Sequence, residues 1–186
     1  LNAPGYELFQ RSRNGDAEAF RRIVESHQSY AFAIAFRFLG NEADAEDVVQ
    51  ESFINVWKHL ADYDPRKKFS TWLYRIVANR CLDCIKSRNR RRESGPMDPE
   101  GVDSRQSIED PEKTGDDRER LKLVNALVRE LPEKQRLVFI LRDLQDLSIE
   151  ETSGILTISK ASVKSNLFHA RKFLRERIEQ LDKKGL

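Results

Sequence analysis

Apolar residues recur at spacings of three and four along nearly every periodic stretch of this chain, which is the signature of helix. From Phe20 they fall at Ile23, Val24, Ala31, Ile34, Ala35 and Phe38, with His27 on the same face, and Gly40 follows as a left-handed stop. Asp44 is placed to cap the next helix, whose stripe is Val49, Phe53, Val56 and Leu60. Asp62-Tyr63-Asp64-Pro65 interrupts the pattern, because proline ends helices and restricts the residue before it. Ser70 or Thr71 restarts it, and Leu73, Ile76, Val77, Cys81 and Ile85 carry the inner face up to a run of arginines. No alternating stretch of useful length suggests a strand.

The pattern then lapses. Residues 93–118 hold prolines, glycines and acids with almost no large apolar side chain, too little to offset the entropy of ordering, and read as a flexible acidic linker. Beyond it, Leu121 to Leu131 reads as helix, and Pro132 beside Glu133 opens another that runs through Leu141. Ser148-Ile149-Glu150-Glu151 forms a capping box ahead of a short helix ending at Leu156. After Thr157-Ile158-Ser159, a long helix has Val163, Leu167, Ala170, Leu174, Ile178 and Leu181 on its inner side. The expected architecture is all-α: a helical domain over 5–92, the linker, and a second helical domain over 119–184.

Composition sharpens this. Among 186 residues, 34% are charged and 39% hydrophobic, which suits two small units with wet surfaces better than one thick globule. The net charge of +2 conceals segregation: Lys86 to Arg92 is almost entirely basic, the linker acidic, and the last thirty or so residues basic again. Cys81 and Cys84 are too few for a disulfide scaffold or a zinc ribbon, and they lie mid-helix, away from the N-terminal dipole that activates a thiol. No apolar run approaches eighteen residues and no signal peptide is visible, so a cytoplasmic chain without membrane insertion is expected. With no phosphate-cradling glycine loop and no marked pair of acids, neither enzyme, cofactor nor metal site is expected.

Two segments carry chemistry. The short capped helix, the turn and the basic helix after it make a helix-turn-helix, with Ser159 capping the helix that would enter a DNA major groove. Lys160, Ser162, Lys164, Ser165, Asn166, His169, Arg171 and Lys172 face away from its apolar stripe; the bland alternative is an outer, solvated face in a bundle. Between Tyr63 and Arg92, aromatic residues (Tyr63, Phe69, Trp72, Tyr74) alternate with Arg66, Lys67, Lys68, Arg75, Arg80, Lys86 and Arg88, as single-stranded DNA binding requires. Core or rim packing is the competing explanation for Trp72 and Tyr74.

Four motifs resemble one family. Asp44-Ala45-Glu46-Asp47-Val48-Val49-Gln50-Glu51-Ser52-Phe53-Ile54-Asn55-Val56-Trp57 resembles the signature helix of extracytoplasmic-function (ECF) sigma factors, group 4 of the sigma-70 family. Phe69-Ser70-Thr71-Trp72-Leu73-Tyr74-Arg75-Ile76-Val77-Ala78-Asn79-Arg80 resembles their promoter-melting helix. Leu131 to Arg136 and Ser162 to Arg171 resemble the two ends of their C-terminal domain. The resemblance implies that Asp47, Gln50 and Glu51 dock on the clamp coiled coil of core RNA polymerase, whose flap is a further partner. It implies that Tyr63, Phe69, Trp72, Arg75, Asn79, Arg80 and Asp83 hold the non-template strand of the −10 element. Lys160, Lys164, Ser165, His169 and Arg171 would meet the −35 duplex, and an anti-sigma factor would restrain the chain.

Some positions depart from the family. Thr157 replaces the usual glycine of the turn, Thr152-Ser153-Gly154 replaces more apolar residues, and Asn166 and His169 stand where arginine is common. Two other readings are a conventional helix-turn-helix regulator, which leaves the aromatic-basic segment unexplained, and a thiol oxidoreductase using Cys81 and Cys84.

Overall fold

The structure is a computed structural model describing residues 4–64, 67–94 and 115–183, and every regular element among them is helical. Helix α1 (Pro4–Arg13) precedes α2 (Ala17–Leu39), α3 (Glu42–Lys58), a 3-10 turn (Leu60–Asp62) and α4 (Phe69–Ser94). The second group is α5 (Gly115–Glu130), α6 (Glu133–Phe139) continued by a π-helical turn (Ile140–Leu144), α7 (Ile149–Leu156) and α8 (Lys160–Asp182). Helix therefore occupies both ends of the 93–118 stretch, and residues 95–114, the bulk of the linker, lie outside the described residues.

Local chemistry sets the boundaries. Asp16 caps α2 by accepting from the Ala19 amide, and Gly40 ends it at φ +71°, the left-handed geometry expected of it. The cap of α3 differs from expectation: it is Asn41, whose side-chain Oδ1 accepts the Asp44 amide at 2.9 Å, so the helix starts ahead of Asp44. Asparagine is as good a cap as aspartate, and the position nearer Gly40 wins. Helix α1 had no clear apolar stripe to announce it. It is held by tertiary contact, with Phe9 packed on Tyr63 and Phe69 and Arg13 donating to the Ala61 carbonyl at 3.0 Å.

Helices α2, α3 and α4 bury Ile23, Ile34, Phe38, Val56, Leu73 and Val77 between them. In the second group α6 packs on α8, and Val138, Val163 and Leu167 form a small core that fixes the tilt of α8. The two groups are not separate. Val128, Leu137, Leu141 and Ile155 belong to the same contiguous core as Phe38 and Leu73, because α7 lies against α4 and the π-helical turn against α2.

Candidate functional site

The capping box forms as its sequence requires: Ser148 Oγ accepts from the Glu151 amide at 3.1 Å and Glu151 accepts from the Ser148 amide at 2.9 Å. Helix α7 ends at Thr157 with φ +55°, a left-handed conformation uncommon for a β-branched residue. The turn is held by Ser153, whose carbonyl accepts the Ile158 amide and whose hydroxyl donates to the Ile158 carbonyl at 2.6 Å. Ser159 then caps α8 through the Ser162 amide.

On α8, Lys164, Ser165 and His169 are exposed and share the outer face. Lys160 and Arg171 are also exposed, but each already has an acid: Lys160 reaches Glu150 at 2.6 Å, and Arg171 grips Asp143 with two bonds of 2.7 Å. Asn166 turns back to the Ser162 carbonyl at 2.8 Å. Sequence reasoning passed over Phe168, which is 64% exposed on this polar helix with its ring against His169. Its signal was available, since Phe168 falls off the stripe of Val163, Leu167 and Ala170.

The −10 set divides into buried and open members. Tyr63 and Phe69 are buried in an aromatic cluster with Phe9, His27 and Trp72, and the Tyr63 hydroxyl donates to the Lys67 carbonyl at 2.5 Å. These rings shape the loop, and burial pushes the Tyr63 hydroxyl pKa upward. Pro65 and Arg66 of that loop lie outside the described residues. Tyr74 is buried against Tyr30, their rings stacked at 4.8 Å. Trp72 is half-buried, and Arg75, Asn79 and Asp83 follow at helical spacing along the exposed side of α4. Arg80 points elsewhere, 3.7 Å from Glu51 across a polar cleft between α3 and α4 that Asp44, Asp47 and Arg88 also line.

Along α3, Asp47, Gln50 and Glu51 are all exposed. Asp47 and Gln50 rim a groove of about 1040 Å³ between α2 and α3, whereas Glu51 faces the polar cleft. The groove floor is apolar, with Phe20, Val24, Phe32 and Val49, and its edge carries Ile54 and Trp57, 49% and 38% exposed. Glu42 and Glu46 add negative charge to the rim. This second apolar side of α3 was not singled out from sequence, although Ile54 and Trp57 each sit one position beyond the inner stripe. The thiol reading finds no support, because burial pushes the Cys81 pKa far up, the opposite of an activated thiolate.

Comparison with known proteins identifies the family. Residues 23–91 match the model of Sigma-70 region 2, and residues 121–174 that of Sigma-70, region 4. The chain is 32% identical to the ECF RNA polymerase sigma factor SigW of Bacillus subtilis (strain 168), over 91% of this chain and 94% of that protein. It is 30% identical to the ECF RNA polymerase sigma-E factor of Escherichia coli (strain K12), over 94% of each. Among solved structures it resembles CnrH in complex with the cytosolic domain of CnrY, with TM-score 0.68, 26% identity, and coverage of 93% of this chain and 96% of that one. It shares its fold with the sigma factor RpoE in complex with the anti-sigma factor NepR from Bartonella quintana, with TM-score 0.74, 21% identity, and coverage of 86% and 96%. With region 2 in its first helical group, region 4 in its second, and relatives matching along nearly its whole length, the chain belongs to the ECF sigma factors of RNA polymerase.

Proposed function

We propose that three surfaces of this sigma factor divide the work of starting transcription. Residues 5–92 act as one unit and 119–184 as the other, with 93–118 as the tether that sets their reach. The groove between α2 and α3, apolar within and acidic at its rim, receives a basic amphipathic element of core polymerase through Asp47, Gln50, Ile54 and Trp57. Glu51, facing the polar cleft, supports that surface by holding Arg80.

Helix α8 reads the −35 duplex. Ser165 and His169 offer hydrogen bonds to base edges, Phe168 an apolar contact to a thymine methyl, and Lys164 a phosphate contact. Lys160 and Arg171 exchange Glu150 and Asp143 for phosphates when DNA arrives. On α4, Trp72 stacks on an unpaired base while Arg75, Asn79 and Asp83 line the path of the non-template −10 strand, over the loop that Tyr63 and Phe69 hold in shape, and Arg80 leaves Glu51 to join them when the strand arrives. The work takes place where promoter DNA is, in the cytoplasm, and no described helix is long and apolar enough to cross a membrane. Restraint by an anti-sigma factor is supported by the solved complex of the sigma factor RpoE with the anti-sigma factor NepR, which shares this fold. The chain is an initiation factor, not an enzyme.

The observation that carries this reading is the coexistence of a DNA-reading helix with a large acidic-rimmed apolar groove, which a simple operator binder has no use for. Run-off transcription tests it. Core polymerase plus this chain on a randomised promoter pool should yield transcripts sharing −35 and −10 sequences; no transcript above core enzyme alone would overturn it.

A further inference from the structure

The surfaces given a role so far lie on α2, α3, α4 and α8, whereas α1 has none and stands ahead of residues 23–91, which match region 2. Its placement is nevertheless closely fixed. The corner Asn14-Gly15-Asp16 turns through Gly15 at φ +88°, a left-handed conformation that glycine adopts without strain. Across this corner Arg11 donates its Nε–H to Asp16 at 2.8 Å, and Asp16 caps α2. Ser12 is buried, its hydroxyl donating to the Leu8 carbonyl at 2.8 Å, and Leu8 and Phe9 pack against the core.

That corner brings α1 against both ends of the loop before α4. Arg13 Nη2 donates to the Ala61 carbonyl at 3.0 Å, in the 3-10 turn that leads into the loop. The Phe9 ring lies 5.3 Å from Tyr63, at the start of the loop, and 4.6 Å from Phe69, at its close. Those two rings carry Trp72 in turn: Tyr63 stacks on it at 5.3 Å and 27°, and Phe69 meets it at 5.9 Å and 62°. His27 closes the side of Phe69, edge-on at 5.0 Å. Phe9 is thus the floor of an aromatic stack whose upper ring is the Trp72 indole. Ring pairs hold offset or edge-on geometries, so taking away the lowest ring leaves the two above it free to tilt. The Tyr63 hydroxyl, bonded to the Lys67 carbonyl, follows its ring and takes the loop with it.

We propose that α1 is a positioning element for promoter opening: Phe9 and Arg13 set the loop and the Trp72 ring at the angle that captures an unpaired −10 base, without touching DNA themselves. This depends on Trp72 being the ring on which that base stacks. A base gains from a ring whose face is presented and already still, because a rocking ring loses contact area and must be ordered on binding. Docking on polymerase does not use α1, since the groove between α2 and α3 is lined from Ala17 onward.

Holoenzyme assembled from core polymerase and the full chain tests this. Its ligands are single-stranded −10 non-template oligonucleotides from a promoter in the transcribed pool, intact or lacking one base at each position in turn. Wild type should lose most affinity at one position, where the base on Trp72 is missing. Phe9→Ala should bind the intact strand about 3- to 10-fold more weakly, as for the loss of an aromatic pair. The penalty at that one position should shrink by the same factor, with the other positions, the affinity for core polymerase and the affinity for −35 duplex unchanged. Phe9→Leu, which keeps most of the apolar volume, should recover most of the loss. Arg13→Ala opens no cavity and should weaken strand binding about 2- to 5-fold, as for one hydrogen bond, at an unchanged salt slope because it holds a carbonyl and no phosphate. A peaked wild-type profile that Phe9→Ala leaves intact overturns the proposal. So does an equal loss at every position, the mark of general loosening, or a shallower salt slope for Arg13→Ala, the mark of a phosphate contact. A flat wild-type profile is a different result: it removes Trp72 from the −10 strand, and the proposal with it.

Discussion

Thr157 and Phe168 show how single side chains in the reading domain are set by different demands. Thr157 holds a backbone geometry that suits glycine, and a non-glycine residue there gives up about 1–2 kcal/mol. Thr157→Gly relieves that strain but adds unfolded-chain entropy, so a net gain of under about 1 kcal/mol is expected in urea denaturation. Phe168 is open to solvent, so Phe168→Ala should alter stability by less than about 0.5 kcal/mol. Its −35 affinity should nevertheless fall, with the salt dependence of binding unchanged because no phosphate contact is lost. Lys164→Ala should do the reverse, weakening all duplexes alike and lowering the salt slope by about 1. Fluorescence anisotropy at several salt concentrations separates the two; a changed slope for Phe168→Ala would contradict its assignment as an apolar base contact.

At the level of the element, α7 does two jobs through one residue. Glu151 completes the capping box of its own helix and pairs with Lys68 across the groups. Lys68 beside it, together with bonds from the Ser148 amide and hydroxyl, lowers its pKa from 4.5 to about 2. A carboxylate depressed on folding contributes stability above its unfolded pKa and loses it as pH falls through the folded value. This contribution is therefore complete above about pH 5 and fades between about 4.5 and 2. Acid titration followed by circular dichroism should show Glu151→Gln less stable than wild type at neutral pH and equal to it near pH 2. A constant difference across that range would show that the ionised carboxylate is not the source. Helix α3 likewise serves two surfaces, with Val48, Phe53 and Val56 turned to the core and Ile54 and Trp57 to the groove.

Across the whole molecule, the continuous core predicts that the two groups unfold together. Both tryptophans, Trp57 and Trp72, lie in the first group, so their fluorescence follows the unfolding of that group. Ile155, 1% exposed on α7, belongs to the shared core. Ile155→Ala should lower stability by about 2–5 kcal/mol, as for a buried isoleucine truncated to alanine. If the groups unfold together, the tryptophan transition in urea should move with the helical one. A tryptophan midpoint unmoved by this substitution in the other group would mean that the groups melt independently.

Apart from α1, the helices were legible in the chain, because a local rule marks each of them. The three-and-four spacing of Ile23 to Phe38, the left-handed stop at Gly40, the capping box at Ser148 and the cap at Ser159 act within a few residues of where they stand. The family likeness was legible for the same reason, since its motifs are contiguous runs. Helix α1 and the groove of α2 and α3 were not, as Phe9 and Trp57 acquire their surroundings from residues distant in sequence. Nor could sequence separate Tyr63 and Phe69, which are buried, from Trp72, half-buried, and Arg75, exposed along its stem, because all four share one aromatic-basic run. The contact between regions 2 and 4 is the extreme case. Its bonds join side chains to the backbone carbonyls of helix ends, groups that every residue possesses, and only the packing of helices decides which carbonyls an arginine meets.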